Sequence, residues 1–216
     1  MTGRIVHPGG RSVRVEPAGL PDDPSELLDA LAIEVPDRDH AVRCAGFAGT
    51  LFDGLYERLE LQPADRRLAV VAALLHDAGY LRGARDHHRK SYDIVRAAII
   101  PGLSSTDRVI AACAARYHGR TVPNIEHAGF GELDFEDQRR VRRLSAIVRL
   151  AAACDYSHLG LIQSIQVIAN HDHADLTVFA NEEPTVDRDR LREAAGGFAA
   201  LAYLPIQVHV VTEATN

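Results

Sequence analysis

From Asp39 to Cys154 apolar residues return at steps of three and four, segment after segment, and this period constrains the chain more than any other feature. A helix carrying such a stripe must bury it, and several in succession bury theirs against one another, so the pattern predicts a mainly α bundle. A short helix capped by Asp23 or Ser25 should run through Ile33, before Pro36 interrupts it. Asp39 is a natural cap for the next, on which Val42, Ala45, Ala48, Phe52, Leu55 and Leu59 share one face. Pro63 sits where a first turn tolerates proline. The helix it opens carries Val70, Val71, Leu74 and Leu75, and Gly79 is expected to stop it in a left-handed conformation. Further helices are predicted over 91–100, closed by Pro101-Gly102, over 105–117 behind a Ser-Thr-Asp capping run, and over 135–154.

The flanks read differently. Residues 1–24 form a polar, Pro- and Gly-punctuated extension in which Arg4-Ile5-Val6 and Val13-Arg14-Val15 suggest a hairpin. Beyond Gly160 the period shortens: 162–169 and 176–180 are strand-like and separated by the polar turn Asn170-His171-Asp172-His173, followed by a helix over 187–202 and a strand-like run over 206–211. The expected organisation is therefore an extension (1–24), a helical domain (25–160) and a small α+β appendage (161–216) packed on it, either covering a site or building a homodimer contact.

Composition narrows the function classes. A net charge of −6, from 30 acidic against 24 basic residues, argues against a nucleic-acid or membrane-surface partner. The arginine runs over 82–90 and 139–143 read as solvated helix faces. Cys44, Cys113 and Cys154 are widely spaced among apolar neighbours, as buried thiols are, which fits a reducing cytoplasm. The longest apolar run, 68–75, is too short to cross a bilayer, and the start of the chain lacks the basic-then-apolar order of a signal peptide.

Eleven histidines are many for this length, and five of them, His40, His76, His87, His88 and His118, fall at or near predicted helix ends, as do Asp77 and Asp155. Imidazoles with carboxylates suit one or two divalent ions such as manganese, iron, cobalt, zinc, magnesium or nickel, whereas a thiolate site would need paired cysteines. The strongest signal is Leu74-Leu75-His76-Asp77-Ala78-Gly79-Tyr80. Neighbours on a helix diverge by about 100°, so His76 and Asp77 can serve one site only near the helix end. By contrast, His171-Asp172-His173 sits in a hairpin tip where polar residues are expected anyway, and His7, His127, His158 and His209 have no partner spacing.

The ordered series resembles an HD-domain phosphohydrolase, and more narrowly the C-terminal HD region of the exopolyphosphatase and guanosine pentaphosphate phosphohydrolase family. The matching stretches are Asp39-His40-Ala41-Val42 with Leu51-Phe52-Asp53, 72–80 around the dyad, His87-His88-Arg89-Lys90-Ser91, Ala115-Arg116-Tyr117-His118 and Ile147-Val148-Arg149-Leu150-Ala151. The resemblance spans about 25–210 and implies an HD-domain helical bundle. Full-length enzymes of that family carry a separate actin-like catalytic module for which these 216 residues leave no room, so their polyphosphate-cleaving site is not carried over. The wider superfamily's ligand order is: it implies His40, His76, Asp77 and Asp155 around one metal, with His87 and His118 available for a second. His88 competes with His87, which is preferred because it precedes the small Ser91 by four positions.

The implied activity is cleavage of a phosphomonoester or phosphoanhydride, in a nucleotide, alarmone or polyphosphate-like small molecule, by a metal-activated water. Asp77 would bridge metals and orient the nucleophile, and His118 would act as a ligand or as a base at the phosphate. Arg82, Arg85, Arg89, Lys90, Arg116 and Arg120 follow ligand positions closely enough to grip phosphate oxygens, Arg116 and Arg120 foremost because they flank His118. Two other readings stand beside this one: a catalytically silent regulatory or dimerisation module that binds nucleotide or polyphosphate, and a di-iron oxygenase of the HD type.

Overall fold

A computed structural model describes residues 20–212, so the hairpin expected in the N-terminal extension lies outside the described residues. The chain is mainly α, with seven helices and one three-stranded sheet among the described residues. Helix α1 (Pro24–Leu31) is capped by Asp23, whose carboxylate accepts from Ser25 N and Glu26 N, and it ends two residues before Ile33 because Ala32 turns left-handed at φ 50°. For α2 (Arg38–Leu55) the cap is Asp37 rather than Asp39. Its side chain accepts from His40 N, leaving Asp39 in the first turn, where the helix dipole favours an acid.

Helix α3 (Asp65–Leu75) does not end in a left-handed glycine. Asp77 leaves helical geometry at φ −104°, ψ 2°, and the chain tightens into a 3₁₀ turn, Ala78–Arg82. Gly79 is needed there for close approach, since a Cβ on it would fall 2.0 Å from the carbonyl oxygen of His87 and 2.6 Å from Ser91 N. Helix α4 (His87–Ala97) starts four residues earlier than the apolar pattern indicated. Next, α5 (Ser105–Arg116) is held by a reciprocal cap between Ser104 and Asp107, and α6 (Phe135–Ala153) starts from the Asp134 cap.

These helices share one core, in which Leu51, Leu55, Leu74, Ile110, Leu144 and Ile147 are completely enclosed. A polar staple runs alongside it: Arg140 of α6 pairs with the buried Asp65 of α3, with Asp107 of α5 and with Asp137. The pairing joins three helices at one point.

The appendage is a hairpin of β1 (Ile162–Ala169) with antiparallel β2 (Ala174–Ala180), then α7 (Thr185–Ala202), then β3 (Ile206–Thr212). The last strand runs parallel to β2, with Leu176 opposite Val208, and α7 provides the crossover that a parallel pair requires. Strand β1 lies on α2 so closely that a Cβ on Gly54 would fall 2.2 Å from Val167 Cγ1. Helix α7 packs along α6. Cys44, Cys113 and Cys154 are free and buried, with burial pushing the Cys113 thiol up to about 12. No helix among the described residues is long and apolar enough to cross a membrane.

Candidate active site

Four helix ends meet at one place. His40 comes from the first turn of α2, His76 from the end of α3 with Asp77 just beyond it, His87 from the start of α4, and His118 from just past α5. The break in helical geometry at Asp77 is what lets two adjacent side chains point into one site. Its carboxylate lies between two imidazole pairs. Oδ2 is 3.8 Å from His40 Nε2 and 3.5 Å from His76 Nε2, while Oδ1 is 3.6 Å from His87 Nε2 and 3.5 Å from His118 Nε2. Within each pair the Nε2 atoms stand 3.3 Å apart (His40, His76) and 3.4 Å apart (His87, His118).

The opposite ring nitrogens decide what those Nε2 atoms carry. Nδ1 of His76 donates to Ala73 O at 2.7 Å, Nδ1 of His118 to Ala115 O at 2.7 Å, and Nδ1 of His87 to Ala84 O at 3.3 Å. Carbonyl oxygens only accept, so each Nδ1 holds a proton and, in the neutral ring, each Nε2 is a bare lone pair. His40 follows the same rule, because its Nδ1 donates to Asp155 Oδ2 at 2.8 Å. Two lone pairs facing each other at hydrogen-bond distance repel. A cation between them removes the conflict, and the acceptors behind the rings are the supports that metal-binding imidazoles use.

Asp155, expected among the ligands, stands behind His40. Oδ2 also accepts from Arg43, at 3.0 Å from Nε and 2.8 Å from Nη2, and Oδ1 accepts from Gly160 N at 2.8 Å. Both oxygens are therefore occupied on the far side of the imidazole ring. Burial opposes its ionisation, but the bonds from His40, Arg43 and Gly160 outweigh that and hold its carboxyl below the usual range.

Burial also sets the state of the imidazoles. His76 is pushed below its ordinary value, and His118 down to about 3, in both cases chiefly by loss of water. They are neutral at physiological pH, the form in which imidazole binds metal. Burial pushes Asp77 up, while the surrounding imidazoles, His76 first, hold its carboxyl below the usual range. Beside the first pair, Cys44 Sγ lies 3.5 Å from His40 Nε2, and burial keeps its thiol protonated.

The cluster forms one end of an open cleft of about 560 Å³. His87 lines it and His88 does not; the His88 ring stands edge-on to His87 at 5.5 Å. Of the basic residues expected to meet substrate, the cleft contains Arg120 but not Arg82, Arg85, Arg89, Lys90 or Arg116. Lys90 instead pins the preceding loop through Arg82 O and Gly83 O, and Arg116 is buried 5.9 Å and 5.6 Å from the ring centres of Tyr92 and Tyr117. Arg82 and Arg89 are solvent-exposed. The decoy dyad at the hairpin tip satisfies itself, with His173 Nδ1 on Asp172 Oδ1 at 2.7 Å.

Sequence reasoning missed several of the lining residues. His158 stacks on His40 with ring centres 3.7 Å apart and pairs with Asp37 Oδ2 at 2.9 Å. Arg149, Tyr156 and Arg190 also face the cleft, as does Tyr80, whose ring stacks on His87 at 3.9 Å. The signals in the sequence were proximity, since His158 and Tyr156 follow Asp155 closely, and membership of quoted stretches for Tyr80 and Arg149, while Arg190 is brought in by the packing of α7 on α6.

Among known proteins, the family model Ppx/GppA phosphatase, domain III, matches residues 31–194 of the chain. No curated protein matches it.

Proposed function

Because the chain belongs to the Ppx/GppA phosphatase domain III family, we propose that it is itself a metal-dependent phosphohydrolase of the HD type, acting on a small phosphorylated substrate. The observation that carries this reading is the position of Asp77, with one oxygen toward His40 and His76 and the other toward His87 and His118. A carboxylate can serve two cations at once, which an imidazole cannot.

His40 and His76 would hold one divalent ion and His87 and His118 a second, with Asp77 shared between them. Such ions would supply Lewis acidity toward a phosphoryl oxygen and would lower the pKa of water, so that hydroxide is available as nucleophile near neutral pH. The protein's own residues prepare for this. Asp155 fixes the tautomer and angle of His40, and the carbonyls of Ala73, Ala84 and Ala115 do the same for the other three rings. His118 reads better as a ligand than as a base, because its Nδ1 is committed to a carbonyl and its Nε2 faces Asp77. Asp155 reads better as the support of His40 than as a ligand.

The test is turnover of a panel of phosphomonoesters and phosphoanhydrides by the full chain with manganese, before and after Asp77→Ala. Hydrolysis of at least one class, lost by about 10³-fold or more in the variant with its circular dichroism unchanged, is expected. No turnover across the panel with any divalent ion, or turnover indifferent to Asp77→Ala, would overturn the assignment. Tight binding without turnover would mark a silent binding module instead.

A further inference from the structure

Among the described residues Arg149 has no carboxylate within ion-pair distance. It leaves α6 toward α7, and its Nη2 donates to two carbonyls, Tyr117 O and Thr121 O, at 3.1 Å each. Its Nε is buried without a partner, and loss of water pushes its pKa down. The one acidic group acting on it among the described residues, Glu193, is already bonded to two other arginines. Helix α7 leaves room for the guanidinium at a glycine: a Cβ on Gly197 would stand 2.9 Å from Arg149 Nη1. A half-buried charge that the described fold accommodates yet does not neutralise, lining an open cleft, indicates that an anion completes it.

The rim of the same cleft repeats the imbalance. Glu193 accepts from Arg120 Nε at 3.2 Å through one oxygen and from Arg190 Nη1 at 2.8 Å through the other. Nη2 of Arg190 donates to the Tyr156 hydroxyl at 3.1 Å. Two guanidinium groups thus share this single carboxylate, and Arg149 beside them bonds only carbonyls. Arg149 is anchored on the carbonyl of Tyr117, the residue before His118, so this positive end of the cleft adjoins the imidazole cluster.

We propose that Arg149, Arg120 and Arg190 form a second anion subsite that takes a further phosphoryl group of a phosphoanhydride, while Glu193 holds the rim arginines together until that group displaces it. The assignment rests on the reading that the imidazole cluster receives a phosphoryl group, and it narrows the substrate class to molecules with at least two linked phosphates. A phosphomonoester would leave Arg149 uncompensated, whereas an anhydride carries a second charged group one bridging oxygen away. Guanidinium forks match phosphate oxygens in geometry as well as in charge.

The experiment measures binding by calorimetry to the full chain in EDTA, so that no metal contributes, with orthophosphate, tripolyphosphate and ADP as probes. Tripolyphosphate or ADP should bind at least about tenfold more tightly than orthophosphate, and Arg149→Gln should remove most of that preference. The anhydride that loses more affinity identifies whether the subsite serves a polyphosphate or a nucleotide. Glu193→Gln, at an exposed position where misfolding is not at issue, should tighten anhydride binding about threefold or more by freeing two guanidinium groups. Equal affinity for orthophosphate and the anhydrides in the unmodified chain, or weaker anhydride binding in Glu193→Gln, would overturn the subsite. Its failure is separable from that of the phosphohydrolase reading: manganese-dependent hydrolysis that survives alongside unchanged Arg149→Gln affinities removes the subsite and leaves the activity.

Discussion

Replacing Asp155 by Asn separates a residue that supports an imidazole from one that binds metal. The carboxylate is 1% exposed and accepts from His40 Nδ1, from Arg43 through two nitrogens, and from Gly160 N. Asparagine can keep the bond from Gly160, but its amide then turns a donor toward the His40 N–H and the Arg43 guanidinium. Bonds to charged partners contribute about 1.5–3 kcal/mol each, and Arg43 recovers some hydration, so a net loss of about 3 kcal/mol is expected for the metal-free protein at pH 7. The sign against pH follows from the folded carboxyl lying below its unfolded value of 3.8. The folded state then binds fewer protons, its stabilisation is complete above the unfolded value, and it fades as pH falls through the folded one. The gap between wild type and Asp155→Asn should therefore narrow below about pH 4. Urea unfolding in EDTA measures both quantities. Metal affinity, read with a competing chelator, should fall by about 10–100-fold, the usual cost of removing a partner behind a ligand. A stability loss under about 1 kcal/mol, or complete loss of metal binding, would refute the assignment of Asp155 to a supporting role.

Two other perturbations follow from the same geometry. With His118 held at about 3 in the fold and its unfolded value 6.5, the unfolded chain takes up the proton first, so metal-free protein should lose stability as pH falls from 6.5. This residue alone contributes about 2 kcal/mol by pH 5, and a urea midpoint flat across that range would contradict its burial as a neutral ring. Gly79→Ala forces a methyl group against His87 O and Ser91, so the start of α4 must move; a loss of about 1–3 kcal/mol in thermal or urea unfolding is expected, together with weaker metal binding at the His87 and His118 pair. A neutral outcome would mean that the contact between the 3₁₀ turn and α4 is looser than described.

Local signals in the sequence accounted for the helices and for the imidazoles at their ends, because a period of three and four and a capping side chain act over a few residues. Long-range geometry escaped it. Gly79 was legible as a helix stop, whereas its actual constraint is the backbone of α4, eight to twelve residues later. The hairpin of β1 and β2 was readable from its polar turn, but nothing local fixed the parallel pairing of β3, which depends on how α7 crosses. The orientation of Asp155 depends on Arg43, 112 residues earlier, and on Gly160, so its direction away from the cluster could not be read from order along the chain. The cleft's arginines show the same limit. Arg82, Arg89, Lys90 and Arg116 lie near ligands in sequence and outside the cleft, while Arg149 and Arg190 come from two helices that meet only in the fold.

The central claim is that Asp77 is shared between two imidazole pairs, and metal stoichiometry measured by mass spectrometry after equilibration with manganese or zinc tests it most directly. Two equivalents per chain are expected in the wild type, one after His87→Ala, and fewer than one after Asp77→Ala. Retention of the full metal content by Asp77→Ala and by His76→Ala would contradict the account.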